Sequence, residues 1–233
     1  MIENTPGIYA APSIYNQAGT GGGGGPIPTP DGYMEVLYLS SDSGNGSAGA
    51  IANFGASRND YKLVIPFIDF TGVKQWMIDN NANELNILSR TTPKNSRVTI
   101  RQDSIGLKAY FNASTYYSGQ QHYFNDGAQN MTVDKYKAVI GGIDINNGGG
   151  SFSAGVSSDF YVPMQGTETA PLKVGRIYVY DTDDNLLQQW RPVEKLGGGD
   201  NRFGWYDVIN DVFKASIKAG RYFVPGPYVV KTE

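Results

Sequence analysis

Few side chains of this chain have the chemistry that catalysis needs. The sequence contains one histidine, His122, and no cysteine, which excludes thiol catalysis, disulfides and zinc–thiolate sites. A serine–histidine–carboxylate triad would have to use His122. No Gly-x-Ser-x-Gly elbow is present, and the neighbours of this histidine are polar residues typical of a loop. We therefore predict that His122 is a surface or interface residue and has no catalytic role.

Carboxylates could support glycoside hydrolysis if two of them were suitably placed. That reaction needs an acid and a base or nucleophile on one sheet face, about 5–10 Å apart. Asp144, within the alternating segment from Gly142 to Asn146, comes nearest to this pattern and has no partner glutamate. The sequence therefore predicts no catalytic residues and a protein that is not an enzyme.

A calcium site is the next chemistry to consider, at Asp181–Asn185. This run begins like an EF-hand loop, but Leu186 stands where the loop needs glycine and Pro192 where it needs glutamate. Short Asx side chains also bond their own backbone, so the run is a typical hairpin turn. We predict a turn without a metal and no cofactor, and Asp181 and Asp183 are the weak metal-ligand candidates.

Aromatic side chains are the remaining residues whose type suits binding. Sugars stack on aromatic faces, so an exposed tyrosine in a loop would serve. Tyr116, Tyr117 and Tyr123 flank a polar loop and are the candidates for glycan binding. Packing or a subunit interface is the alternative interpretation of these tyrosines. Trp205 and Tyr206 lie in a more regular segment, and we expect them to fill the core.

Composition narrows the class of protein. Thirty glycines and twelve prolines among 233 residues are typical of a turn-rich β protein, and a hydrophobic fraction of 40% supplies a core. A net charge of −3 argues against a nucleic-acid binder, which normally carries a basic patch. No window resembles a membrane span or a signal peptide, and the lack of cysteine is compatible with folding in a reducing cytosol.

The chain divides near residue 30. Residues 1–30 combine five consecutive glycines with alternating prolines, a composition that predicts an extended arm and linker. Its paired Ile-Tyr motifs suggest an apolar anchor formed by four side chains: Ile8, Tyr9, Ile14 and Tyr15. A terminus with incidental hydrophobic residues is the alternative that stays open. Residues 31–233 are predicted to form one β domain.

The pattern from residue 31 onward is that of short strands separated by glycine- and asparagine-rich turns. One strand should place Val98 and Ile100 inward and Thr99 outward, and Pro66 suggests an edge position or a strand end. Residues 79–83 favour a hairpin turn over a helix. About ten to thirteen strands in a two-sheet sandwich are expected. Predicted strands include residues 33–39 (buried largely on both faces), 61–67, 97–101, 107–111, 136–140 and 160–164.

The last quarter of the chain, residues 172–227, has the most specific pattern. Two alternating strands joined by an aspartate-rich turn lead into an aromatic, glycine-punctuated ending. The pattern resembles the closing segment of concanavalin A-like (laminin-G-like) jelly-roll domains that are common in bacteriophage structural proteins. The residues that carry the resemblance are Arg176–Tyr180, Asp181–Asn185, Leu186–Arg191, Arg191–Val193, Gly197–Gly199, Gly204–Val208, Asn210–Phe213 and Gly220–Phe223.

This resemblance implies a jelly-roll sandwich and a virion setting, with no chemistry of its own. We expect a head fibre, capsid decoration or tail-fibre component, assembled in the cytoplasm of a bacterial host, whose arm binds capsid or tail proteins. Proteins of this kind are usually symmetric oligomers, and the usual fibre state is a homotrimer. The alternative is a lectin-like module that binds host-surface glycans.

Overall fold

The computed structural model describes residues 28–41, 52–56, 62–90, 97–111, 122–134, 138–145, 159–162, 171–181, 183–217 and 220–229. Within these stretches the backbone is mostly β-strand, with one α-helix and two antiparallel sheets. The predicted all-β class with two sheets is confirmed. The helix has seven residues, and the described stretches contain no helix long and apolar enough to cross a membrane.

Eighteen strands are present in the described residues, more than expected, because several have only two or three residues. In chain order they are β1 Tyr33–Glu35, β2 Leu39–Ser41, β3 Ala52–Ala56, β4 Lys62–Asp69, β5 Leu85–Arg90, β6 Arg97–Gln102, β7 Leu107–Phe111, β8 His122–Phe124, β9 Ala128–Val133, β10 Ala138–Ile140, β11 Ile143–Asp144, β12 Asp159–Val162, β13 Lys173–Val174, β14 Ile177–Tyr180, β15 Leu186–Lys195, β16 Phe203–Asp207, β17 Val212–Ala215 and β18 Phe223–Pro225.

The strands form a larger and a smaller sheet. The larger sheet has the order β11-β10-β9-β4-β14-β15-β16-β17, and β1 pairs with the far end of β15. At another end of this sheet, β18, β2, β13 and β4 pair in that order. The smaller sheet has the order β3-β12-β5-β6-β7-β8. Strands distant in sequence are therefore neighbours in both sheets.

The core lies between the two sheets. Leu39, Val174 and Ile68 face one another across β2, β13 and β4 and are fully buried. The smaller sheet adds Val98 and Ile100, buried as predicted, to the same hydrophobic cluster. Burying each such side chain contributes about 1.5–3 kcal/mol. We call the face of each sheet that points away from this core its outer face.

The hairpin predicted near residue 180 is confirmed. β14 and β15 pair antiparallel, and Ile177 and Val179 are buried while Tyr178 and Tyr180 point to the outer face. The register shifts next to the turn, where Asp184 adopts a left-handed φ of 62°. Asx residues tolerate that conformation well, so the run of aspartates is explained by the turn.

Residues 80 and 81 form a turn, as predicted, but it follows an α-helix and not a strand, so it is not a hairpin turn. An α-helix, α1, spans Val73–Asp79 and begins after Gly72, whose φ is 82°. Val73 and Met77 lie one helical turn apart and are fully buried, so the core stabilises the helix. The backbone amide of Asn80 donates to the carbonyl of Trp76 and closes the last turn, and the side-chain amide of Asn80 donates to the same oxygen.

Two further strand predictions were wrong, and a third, the outward orientation of Thr99, holds for a residue that is not exposed. Pro66 lies in β4, which is interior to the larger sheet, and a register shift between Ile65 and Ile68 accommodates it. Thr99 faces outward on β6, yet it is only 1% exposed, so the outer face is covered there. The predicted strand 33–39 is two strands, and Met34 is 42% exposed, so this segment is not buried on both faces.

Candidate functional site

Of the residues predicted for glycan binding, Tyr123 lies in a described stretch. It occupies the middle of β8, an edge strand of the smaller sheet, opposite Lys108 of β7. The flanking residues His122 and Phe124 are opposite the buried Ala109 and Leu107, so Tyr123 itself points to the outer face. Tyr116 and Tyr117 lie outside the described residues, as do the four anchor residues Ile8, Tyr9, Ile14 and Tyr15.

Tyr123 belongs to a hydrogen-bonded cluster around Asp103, which follows β6. Its hydroxyl donates to Asp103 Oδ2 at 2.7 Å, and Lys108 Nζ donates to the same oxygen at 2.9 Å. The backbone amides of Ile105 and Gly106 donate to Asp103 Oδ1. We call Asp103, Lys108 and Tyr123 the Asp103 cluster; it ties the β6–β7 turn to the edge strand β8.

The electrostatics of the Asp103 cluster follow from these donors. Hydrogen bonds from Lys108, then from Tyr123, hold the pKa of the Asp103 carboxyl well below its ordinary value. The same hydrogen bonds raise the pKa of Lys108 and of Tyr123. The acid therefore stays ionised and its oxygens already accept four donors, so it is not a general acid. What the cluster offers a ligand is the tyrosine ring and the ammonium of Lys108.

The weak metal candidates at the β14–β15 turn have a structural role. Asp181 Oδ1 accepts the backbone amides of Asp183 and Asn185, and its Oδ2 accepts the Asn185 side chain at 2.9 Å. Asp183 is exposed, and Asp184 forms an ion pair with Lys62 of β4. In the described part of the chain, no three acidic or histidine side chains converge in a way that could hold a metal ion.

His122 and Asp144 occupy positions that the sequence did not predict. The histidine begins β8 and is partly buried, so its expected place in a loop was wrong. Its Nε2 atom is buried and accepts or donates no hydrogen bond among the described residues. Asp144 lies on β11, an edge strand of the larger sheet, and is exposed. The positions of His122 and Asp144 do not indicate a catalytic role for either residue.

A second polar cluster lies on the outer face of the larger sheet and was missed by the sequence reasoning. Glu35 Oε1 accepts from Arg176 Nε at 2.5 Å, and Glu35 Oε2 lies 3.8 Å from Arg191 Nη1. Thr29 joins them, because its hydroxyl donates to Glu35 and accepts from Arg191 at 3.1 Å. We call Thr29, Glu35, Arg176 and Arg191 the junction cluster, because it holds the first described residues against the sheet.

Burial governs the charges of the junction cluster. The side chains of Glu35 and Arg191 are 8% and 4% exposed. Burial, the largest effect, lowers the pKa of Arg191, and the neighbouring positive charge of Arg176 lowers it further. Burial, the largest single effect, also opposes the charge of Arg176, but the hydrogen bond that Arg176 donates to Glu35, the negative charge of Glu35 and the contribution of Tyr178 together outweigh it and raise that pKa. The available sequence signals were Glu35 within the otherwise uncharged run from Tyr33 to Leu39, and Arg191 between Trp190 and Pro192.

Trp205 and Tyr206 are buried, as expected. Trp205 is fully buried, donates its indole N–H to the carbonyl of Gly175 at 3.1 Å and packs edge-on against Phe223. Tyr206 points the other way, next to Tyr33, with ring centroids 4.5 Å apart. A hydrogen bond with Asp211 raises the pKa of Tyr206 to about 12. Both rings are therefore too deeply buried for a sugar to stack on them.

Comparison with known proteins adds no family to this picture. No protein-family model, no curated protein and no solved structure matches the chain. The likeness of residues 172–227 to phage jelly-roll domains therefore rests on those residues alone.

Proposed function

We propose that this chain is a non-enzymatic structural protein of a bacteriophage virion. In this proposal residues 1–30 anchor a projecting jelly-roll domain, residues 31–233, to the particle as a head fibre, capsid decoration or tail-fibre component. The partners are capsid or tail proteins, and the assembled state is a homotrimer. The likeness of residues 172–227 to phage domains, together with the all-β fold of two sheets, supports this proposal.

One structural observation carries the tethering part of the proposal. Thr29 is buried against Glu35 and Arg191, while Pro28 immediately before it is exposed. The first described residues are therefore held against the sheet by buried hydrogen bonds. In this proposal the glycine- and proline-rich sequence before them serves as the linker and sets how far the domain extends from its attachment.

The other described end of the domain lies beside the same strand. Tyr228 pairs with Val36, and the amide of Val229 donates to the carbonyl of Glu35 at 2.9 Å. Residues 28–29 and 228–229, the first and last described residues, therefore both lie beside the β1 segment. This arrangement suits a body that is attached at one place and projects from it.

The test is incorporation of a truncated chain into particles. Residues 1–18 are deleted in the phage genome, particles are purified, and the chain is detected by immunoblot with the intact gene in parallel. We expect the truncated domain to fold but to be absent from particles, because the Ile-Tyr anchors are gone. A matched control deletes only residues 21–25, which shortens the linker and keeps the anchors. Particles that still carry the chain lacking residues 1–18 would contradict the anchoring role.

A lectin-like module is the second proposed function, and Tyr123 is the observation that favours it. The ring is partly exposed on the outer face, with the Lys108 ammonium 6.0 Å from its centroid. Host-surface glycans would be the ligands. Binding on a glycan array should weaken when Tyr116, Tyr117 or Tyr123 is changed to alanine. A folded chain that binds no glycan on the array would remove this function.

A further inference from the structure

The outer face of the larger sheet carries a second aromatic surface, far in sequence from Tyr123. It lies where β18, β2, β13 and β4 pair side by side. In one row across these strands the outward residues are Val224, Ser40, Lys173 and Asp69, in that order. Val224 is 47% exposed, and Ser40 and Lys173 are partly exposed, so these three positions are open to solvent, whereas the side chain of Asp69 is 12% exposed.

The neighbouring row supplies two aromatic rings. Tyr38 and Phe67 are partly exposed, their ring centroids are 5.9 Å apart, and their planes are 17° from parallel. Tyr38 packs against the backbone of Gly226: a Cβ added at that glycine would lie 2.7–2.8 Å from three carbons of the ring. Glycine therefore lets the ring approach the backbone closely. The result is a pair of nearly parallel rings fixed on the sheet.

An ion pair borders these rings. Lys173 Nζ lies 2.7 Å from Asp69 Oδ2 and 5.6 Å from the centre of the Tyr38 ring. The backbone amide and the hydroxyl of Thr71 both donate to Asp69 Oδ1, which fixes the carboxylate. The Lys173 ammonium, a donor, and the Asp69 carboxylate, an acceptor, thus lie at the edge of an aromatic surface. A ligand with an apolar face and several hydroxyl groups needs this combination.

The charge balance here favours an uncharged ligand. Lys173 is matched by Asp69, so the patch has no excess positive charge for a carboxylate or phosphate. Burial raises the pKa of the nearby Asp126, and the negative charge of Asp69 raises it further. The positive charge of Lys74 opposes these effects on Asp126, so the charges around the patch are balanced and favour neither an anionic nor a cationic ligand.

We propose that Tyr38, Phe67, Lys173 and Asp69, together the Tyr38 patch, bind the pyranose ring of a neutral sugar. The apolar face of the pyranose stacks on the rings. Its hydroxyls donate to the carboxylate of Asp69 and accept from the ammonium of Lys173. The patch is distinct from the Asp103 cluster, which lies on the smaller sheet. The inference holds whether or not the chain is a virion component.

The test uses the full-length chain and ligand-detected NMR. The probes are neutral trisaccharides built from glucose, galactose, mannose or N-acetylglucosamine, with sialyllactose as the acidic comparison. We expect binding of at least one neutral trisaccharide and weaker or no binding of sialyllactose. Phe67→Leu keeps an apolar side chain but removes the aromatic face, and should weaken binding about tenfold. Tyr38→Leu should act in the same direction.

Tyr180→Leu is the matched control. Tyr180 also points to the outer face of this sheet and carries a lysine, Lys62, 5.1 Å from its ring centre, but it is not part of the Tyr38 patch. This variant should bind sugar like the unchanged chain. Tyr123→Leu separates this patch from the proposed lectin site: binding that is lost in Tyr123→Leu and kept in Phe67→Leu belongs to the site at Tyr123. The circular dichroism spectrum of each variant verifies its fold. Three results would overturn the proposal: no neutral probe binds, Phe67→Leu binds unchanged, or Tyr123→Leu alone abolishes binding.

Discussion

The carboxylate of Glu35 accepts a hydrogen bond of 2.5 Å from Arg176, across 141 positions of sequence. It joins β1 to the residue that precedes β14. Both side chains are largely buried, at 8% and 15% exposure. Arg191 adds a second guanidinium beside the same carboxylate, so a single acid serves two buried cations. The stability of this part of the sheet should therefore depend on that acid.

Replacing Glu35 with glutamine should destabilise the domain by about 3–5 kcal/mol, because two buried guanidiniums would lose their counter-charge. Urea unfolding at neutral pH measures the change. Glu84→Gln is the matched control. Glu84 forms an ion pair with Arg101, and the two side chains are 34% and 25% exposed, so this pair is less buried than the junction cluster. Glu84→Gln should lower the free energy of unfolding by less than about 1 kcal/mol. Equal losses in the two variants would show that the junction cluster contributes no special stability.

Glycine is required at position 204 for a reason visible only in three dimensions. A Cβ there would overlap the carbonyl oxygen of Lys214 and lie 2.8 Å from Cζ of Phe213, on the neighbouring strand β17. Gly204→Ala should therefore cost about 1–3 kcal/mol through forced separation of β16 and β17.

Gly106→Ala provides the comparison for that measurement. A Cβ at Gly106 would lie 3.9 Å from the Tyr123 ring, an ordinary contact distance. Its free energy of unfolding in urea should change by less than about 0.5 kcal/mol. If Gly204→Ala were as stable as Gly106→Ala, the close approach of β16 to β17 would not restrict that position.

The sequence predicted the fold class and several strands, because alternation and turn residues act locally. Val98 and Ile100 alternate with polar neighbours, and the Asp181 run supplies the turn chemistry of its hairpin. The helix α1 was missed because the asparagines after Asp79 have strong turn propensity. The burial of Val73 and Met77, which stabilises the helix, depends on strands remote in sequence.

The polar clusters were beyond sequence reasoning for a related reason. Lys173 and Asp69 are 104 positions apart, and only the pairing of β13 with β4 brings them together. Arg191 and Thr29 are separated by 162 positions. Tyr123 was identified by residue type, but its partner Asp103 was not, because strand register decides which residues meet.

Asp181 should stabilise the β14–β15 turn without binding calcium. Asp181→Ala removes three hydrogen bonds of the turn and should cost about 1 kcal/mol in urea unfolding. Asp183→Ala should leave the free energy of unfolding nearly unchanged, because that side chain is exposed. For the unchanged chain, the midpoint of thermal unfolding should be the same in calcium and in a chelator. A midpoint that is higher in calcium than in the chelator for the unchanged chain, but not for Asp181→Ala, would identify a metal site.

Acid should weaken the domain through the Asp103 cluster. Hydrogen bonds from Lys108 and Tyr123 hold the pKa of Asp103 below its ordinary value of 3.8, so the folded state binds this proton less readily than the unfolded chain. The stabilisation is therefore complete above the unfolded pKa and is lost as the pH falls from there through the folded pKa. Asp103→Asn lacks this titration, so its urea midpoint should fall less than that of the unchanged chain below pH 3.8. Ser104→Ala, which keeps the carboxylate, should retain the full acid dependence. Identical acid profiles for Asp103→Asn and the unchanged chain would show that other carboxyl groups govern acid unfolding.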